Sequence, residues 1–216
     1  MRPILALIAA LAPLPLAAHP HVFIGTGFEI ILDANGALTH VRTTWAYDEL
    51  YTLMISEDLK VDQDYDGKLT PEEEARLAGF DMQWVEGFNG DLEATLDGAP
   101  LVLSGPLEPT ARIEGGRVIT THLRAVEGTP GLAGRALSLK PYDPTFYTAY
   151  SVTLPVTLTG GDACLIEAVE PDIDAALEEM RQQLLRLDKN ADLEENGFPE
   201  VGAEFATDVR VSCPAS

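Results

Sequence analysis

Between residues 62 and 73 the chain reads Asp62-Gln63-Asp64-Tyr65-Asp66-Gly67-Lys68-Leu69-Thr70-Pro71-Glu72-Glu73, and no other stretch restricts the backbone so tightly. Asp62, Asp64 and Asp66 alternate, so a turning backbone aims their side chains at one point. Gly67 follows where a sharp bend is needed, a conformation that a residue with a Cβ adopts poorly. Lys68 has only its backbone carbonyl to offer. Thr70 carries a hydroxyl and Glu73 a carboxylate able to present both oxygens, while Leu69 is the apolar residue that would fix the loop to a core. Carboxylates gathered this closely repel one another unless a cation sits among them.

That spacing is the ligand pattern of an EF-hand calcium loop, with Asp62, Asp64, Asp66, the Lys68 carbonyl, Thr70 and Glu73 as the expected ligands for Ca²⁺. Such loops normally pair. A second candidate opens with Asp188, Asn190 and Asp192, but Leu193 stands where glycine is needed and Pro199 occupies the last ligand position. This segment is read as an acidic connection. An unpaired loop should bind weakly, with Kd roughly 10⁻⁴–10⁻³ M.

The remaining composition points the same way. The 216 residues carry a net charge of −21, with no basic run, which excludes a nucleic-acid partner and favours cations. Met1–Ala18 has one basic residue, an apolar stretch and a small-residue end at Leu16-Ala17-Ala18, the pattern of a cleaved signal peptide. Pro13 and Pro15 break the stretch, and no other segment is long and apolar enough to span a bilayer. The mature chain, 19–216, is therefore expected to be exported to the periplasm or secreted. Cys164 and Cys213 suit that oxidising setting and are expected to pair; metal binding by two such distant thiols is the weaker alternative.

Cleavage after Ala18 would leave His19-Pro20-His21 as the amino terminus. A terminal histidine chelates through its α-amine and Nδ1, and in a strand His19 and His21 share a face. This set suits Ni²⁺, Zn²⁺ or Cu²⁺. Pro20 has no amide hydrogen, which removes the mode that needs a deprotonated second amide. His-Pro-His read simply as a polar strand start stays open beside it.

Strand-forming residues fill 22–32 and 38–47 around an Asp33-Ala34-Asn35-Gly36 turn. Residues 48–88 read as a helix–loop–helix insertion, with Leu50, Leu53 and Met54 on one side of its first helix. Hairpins are expected at 92–103 and 110–123, with further strands at 136–142, 146–158, 164–169 and 205–213. Pro155 marks an edge or a bulge. Pro171–Leu187 is an amphipathic helix whose stripe of Ile173, Ala176, Leu177, Met180, Leu184 and Leu187 is read as core packing. The expected fold is mainly β with α insertions, as a sandwich of antiparallel sheets forming one β-rich domain.

Four separated pieces carry a further resemblance: His19-Pro20-His21-Val22-Phe23-Ile24, Trp45-Ala46-Tyr47-Asp48-Glu49, Tyr142-Asp143-Pro144-Thr145-Phe146-Tyr147, and Phe205-Ala206 before Cys213. Together they resemble the family called domain of unknown function 1007 (DUF 1007). Its members are described as periplasmic components of uncharacterised ABC-type transport systems, often accompanying nickel/cobalt-type permeases. The resemblance implies an accessory role in transition-metal transport, with a permease of the inner membrane as partner. The alternative from another class is a calcium-stabilised interaction module with no transition-metal site. Gly-x-Ser-x-Gly, Gly-rich phosphate loops and His-Glu-x-x-His are all missing, and the chain is expected not to be an enzyme. Asp143 reads first as part of an Asp-Pro turn.

Overall fold

A computed structural model describes residues 20–161, 163–186 and 200–215. The signal-peptide reading, His19 and the acidic stretch at 188–199 lie outside the described residues.

Two sheets form, as expected for a mainly β chain. The first contains β1 (Val22–Leu32), β2 (Leu38–Tyr47), β5 (Leu107–Glu114), β6 (Arg117–Ala125), β8 (Thr148–Ser151) and β9 (Val156–Thr159), ordered β5-β6-β2-β1-β8 with β9 also on β1. The second contains β3 (Leu92–Leu96), β4 (Ala99–Pro100), β7 (Ala136–Pro141), β10 (Leu165–Val169) and β11 (Asp208–Ser212), ordered β10-β11-β7-β3-β4. The β1–β2 turn is closed by Asp33, whose carboxylate accepts from the backbone N–H groups of Asn35 and Ala37 at 2.8 and 2.9 Å.

One expectation is corrected. The sheets are not wholly antiparallel, because β8 and β9 both run parallel to β1. The run at 146–158 splits at Pro155, so two short strands share one edge. Residues between them press on β1, where a Cβ at Gly25 would lie 2.7 Å from the Thr153 hydroxyl and one at Gly27 the same distance from Leu154. Only glycine lets that crossing happen.

The inner face of the first sheet is covered in two parts. Phe28, Ile30, Leu32, Leu38 and Val41 pack against Leu92, Leu96, Leu137, Leu139 and Val209 of the second sheet. The other part, with Ile24, Trp45, Tyr47, Val118 and Tyr150, packs against Val61 and Leu77 of the insertion between β2 and β3. That insertion holds helices α1 (Glu49–Leu59) and α2 (Pro71–Leu77).

Helix α3 (Ile173–Arg186) overturns a second expectation. Ala176 is buried, but Ile173, Leu177, Leu184 and Leu185 are exposed, so the stripe is not core packing. The sandwich is already filled from both sheets, and α3 meets chiefly the short 3₁₀ turn Gly202–Phe205. The expected disulfide forms: Cys164 and Cys213 are joined across a sequence separation of 49, beside the β10–β11 pair. A closure of that size is worth roughly 4 kcal/mol in the chain-entropy account.

The family-like pieces converge here. Phe146 stacks on Phe205 with ring centroids 4.1 Å apart, and Gly202 donates its N–H to the Pro144 carbonyl at 2.9 Å. A Cβ at Gly202 would stand 1.8 Å from the Asp143 carbonyl oxygen, whereas one at Gly131 would meet open space. Gly202→Ala should therefore lower unfolding free energy by more than about 2 kcal/mol in urea titrations, while Gly131→Ala stays within about 0.5 kcal/mol.

Candidate metal site and the strap that holds it

Asp48 starts the insertion. One of its carboxylate oxygens accepts from Tyr51 N–H at 2.8 Å as the α1 cap, and the other accepts from Phe23 N–H of β1 at 2.9 Å. The helix then docks by an unexpected side. Thr52 is buried and its hydroxyl accepts from the Val118 N–H of β6 at 2.9 Å, while Tyr51 stacks on Tyr47 at 5.1 Å. Tyr51, Ile55 and Leu59 face the core. Leu50, Leu53 and Met54, read from the sequence as one side, are 69%, 45% and 53% exposed. The hydrogen bond to a sheet-end amide and the stacked rings decide the orientation, and a hydrophobicity pattern records neither.

α1 ends in a left-handed Lys60, after which Val61 is fully buried and Asp62 takes φ +47°. The Asp62 carboxylate accepts from the Gly67 N–H at 3.0 Å, drawing the loop into a ring at the glycine, which has φ +74°. Carboxylate oxygens of Asp62, Asp64 and Asp66 lie within 4.8 Å of one another. Asp62 is buried and the other two are exposed. Asp66 also pairs with the Lys68 ammonium at 2.8 Å, and that hydrogen bond holds its carboxyl below the usual range.

Thr70 and Glu73 close the other end. Glu73 accepts from the Thr70 N–H at 2.8 Å and from the Asp62 N–H at 3.2 Å, and Thr70 caps α2 reciprocally. The backbone bond from Thr70 is the main reason the Glu73 carboxyl sits below its usual range. Glu73 thus stands beside Asp62 but hydrogen-bonds amides rather than joining the aspartate group. Arg76 donates to the Lys60 carbonyl at 2.9 Å and ties the two helices together. All-oxygen donors of high negative charge fit a hard divalent cation such as Ca²⁺, and the described residues give it no soft ligand. Asp62, Asp64, Asp66 and Glu73 would hold it, with the Lys68 carbonyl and Thr70 completing the shell.

The helix–loop–helix expected over 48–88 is corrected, since α2 ends at Leu77 and residues 78–91 form a non-helical strap that sequence reasoning missed. Asp81 accepts from the Tyr47 hydroxyl at 2.7 Å and from Thr120 at 2.8 Å, and Asp91 accepts from the Tyr150 hydroxyl at 2.7 Å. Both clasps bind half-buried carboxylates to the first sheet. Burial pushes the Asp81 carboxyl up; it pushes Asp91 to about 6, with the Tyr150 bond opposing and Asp143 adding to the rise. Between the clasps Trp84 packs edge-to-face on His122 at 5.3 Å, with the Arg124 guanidinium 5.0 Å from its ring centre. A Cβ at Gly90 would meet the Trp84 ring at 2.4 Å.

Beneath the strap runs a buried polar band of Thr26, Thr43, Thr120, His122 and Arg124 between the two apolar cores. Neither nitrogen of His122 has a hydrogen-bond partner among the described residues. Burial, then Arg124 and Arg42, lowers its pKa to about 3, so it stays neutral. The usable signal was an aspartate between Phe80 and Met82, a charge placed inside an apolar run.

The remaining candidates are dispersed. His21 is exposed, donates its backbone N–H to the Tyr147 carbonyl at 2.8 Å and has its ring 4.8 Å from that of Tyr147. His40 and His122 lie on opposite faces of the first sheet by the alternation of β2 and β6 and their pairing. Asp143 accepts from the Thr145 N–H and hydroxyl and from the Thr148 N–H, the bonds of a turn.

The family model described as protein of unknown function (DUF1007) matches residues 4–213. The chain belongs to this family. Its match takes in both sheets, the loop and the strap together. No curated protein matches the chain.

Asp91 gives a pH test of the strap. Its folded pKa is raised above the unfolded value of about 3.9, so the native state holds the extra proton. Stability from this group is present below pH ~4 and is lost as pH rises through about 6. The unfolding free energy of wild type relative to Asp91→Asn should fall by on the order of 2 kcal/mol between pH 4 and pH 7, followed by denaturant titration in chelator.

Proposed function

We propose that this chain is an exported, calcium-binding, non-catalytic accessory component of transition-metal transport in the periplasm. The observation that carries the calcium half is the convergence of Asp62, Asp64 and Asp66 within 4.8 Å around a loop closed by the Gly67 amide. A bound Ca²⁺ supplies positive charge beyond the single Lys68 ammonium that pairs with Asp66. It holds α1 and α2 at a fixed separation, and the Asp81 and Asp91 clasps pass that order to the sheet.

The transport half rests on the family resemblance and on the amino-terminal histidines. His19 and His21 would offer nickel, zinc or copper to a permease in the inner membrane. A second reading, a calcium-stabilised interaction module without a transition-metal site, is favoured by the apolar side chains exposed on α1 and α3.

Titration calorimetry of the mature chain should give calcium binding with Kd roughly 10⁻⁴–10⁻³ M, and added calcium should raise Tm. At a hundredfold excess over Kd the gain is about 2.7 kcal/mol. Asp62→Asn should abolish both effects; a Tm in Asp62→Asn that still rises with calcium places the ion elsewhere and ends the assignment. Nickel, zinc and copper titrations of His19→Ala and His21→Ala should show binding weakened at least tenfold. Unchanged binding in both variants removes the transport half and leaves the interaction module.

A further inference from the structure

The polar band under the strap leaves hydrogen-bonding capacity unused, and all of it in one place. Among the described residues, the buried side-chain polar atoms without a hydrogen-bond partner are Oγ1 of Thr26 and of Thr43, Oδ1 of Asp81, and both ring nitrogens of His122. Buried polar atoms are nearly always paired, because an unpaired one gives up its hydration for nothing. Strand pairing sets these atoms together. Thr43 of β2 lies directly across from His122 of β6, and Thr26 of β1 lies across from Trp45, which is itself across from Thr120. All of them face inward, over a patch about 10 Å wide and about 7 Å high by strand spacing and rise. Asp81 reaches the patch from the strap: its other carboxylate oxygen accepts from Thr120, and its carbonyl accepts from the indole N–H of Trp84, whose ring meets His122. An imidazole N–H aimed at an indole face would answer for one nitrogen of His122 at most, leaving the other and the three oxygens without a partner.

The chemistry of the set selects its guest. A neutral imidazole offers one donor and one acceptor, and a hydroxyl offers both. A cation could serve only the acceptors, and the buried Arg124 guanidinium on the Trp84 ring opposes it. An anion could serve only the donors, and it would face the Asp81 carboxyl. A neutral molecule that both donates and accepts serves every atom. Thr26, His122 and Thr43 are 0%, 1% and 2% exposed, and side chains packed so closely take the smallest such molecule. We infer that the band is an internal hydration site, in which ordered water bridges Thr43 to His122, joins Thr26 and Asp81 to them, and is sealed in by the strap. Five atoms and roughly three bonds for each buried water make about two molecules. The water is a third tie of strap to sheet, beside the two carboxylate clasps, and it leaves only when the strap lifts. The site is independent of the calcium loop and of the amino-terminal histidines.

Oxygen-17 magnetic relaxation dispersion on the mature chain counts the water held inside, and one fixed calcium concentration makes any water on the ion cancel between proteins. Thr43→Val, which keeps the shape and removes the hydroxyl, should lower the dispersion amplitude by the equivalent of at least one water. His122→Phe should do the same. Thr44→Val, on the outward face of β2, should leave the amplitude at the wild-type value. In long-range proton–nitrogen spectra His122 should show a single tautomer, with ring-nitrogen shifts that move in Thr43→Val and stay put in Thr44→Val. An amplitude equal in wild type and Thr43→Val overturns the proposal, whatever becomes of the fold of His122→Phe. So does a His122 spectrum indifferent to the loss of the Thr43 hydroxyl.

Discussion

The inner face of the first sheet extends past the sheet that covers it, and the structure depends on how the overhang is closed. Burying apolar area is the main favourable term in folding, and Ile24, Trp45, Tyr47 and Val118 would be wet without a second cover. A further strand pair could have served. The chain instead places a helix–loop–helix there, at the point where it leaves β2 and before it starts β3. The candidate ion loop is therefore built into the route between the sheets.

Two kinds of contact make that cover hold. Apolar packing through Val61 and Leu77 is non-directional, and by itself would allow the helices to slide. Direction comes from polar contacts: Asp48 on β1, Thr52 on β6, Asp81 on Tyr47 and Thr120, and Asp91 on Tyr150. The Asp48 contact is exposed, but the other three are shielded from water and costly to break, because a donor or acceptor left alone there pays its desolvation. The neutral His122, set edge-to-face against Trp45 and Trp84, fills the seam between the two cores with aromatic contact in place of hydrogen bonds to other side chains.

How much of this could be read in the chain differs by element. The sharp bend at Gly67 and the helix start at Pro71 were legible because each has its own local stereochemical demand, whereas the use of Glu73 as the partner of the Thr70 cap was not. The β1–β2 turn and the cysteine pair were legible for similar local reasons. The α1 face was misread because apolar spacing predicts burial only when nothing more specific competes. A threonine hydroxyl satisfying a sheet-end amide and a tyrosine stacking on tyrosine did compete. The stripe on α3 failed in another way, since its amphipathic pattern is real while the sandwich interior was already full. The parallel placement of β8 and β9 depends on a crossing over Gly25 and Gly27, a contact between residues more than a hundred positions apart. The strap was invisible because half-buried aspartates look like surface ones until their tyrosine partners are found.

The order of the second sheet has a consequence for how the molecule comes together as it is made. β11, from Asp208 to Ser212, lies between β10 and β7, so a strand that follows all the other described strands in the chain is interior to its sheet. The amino-terminal hairpin can assemble early, from neighbours in the chain. Its opposite layer stays split, with β10 unattached, until β11 is threaded between. Cooperative completion of the second sheet thus waits on Asp208–Ser212, and removal of that segment would take out the middle of a sheet.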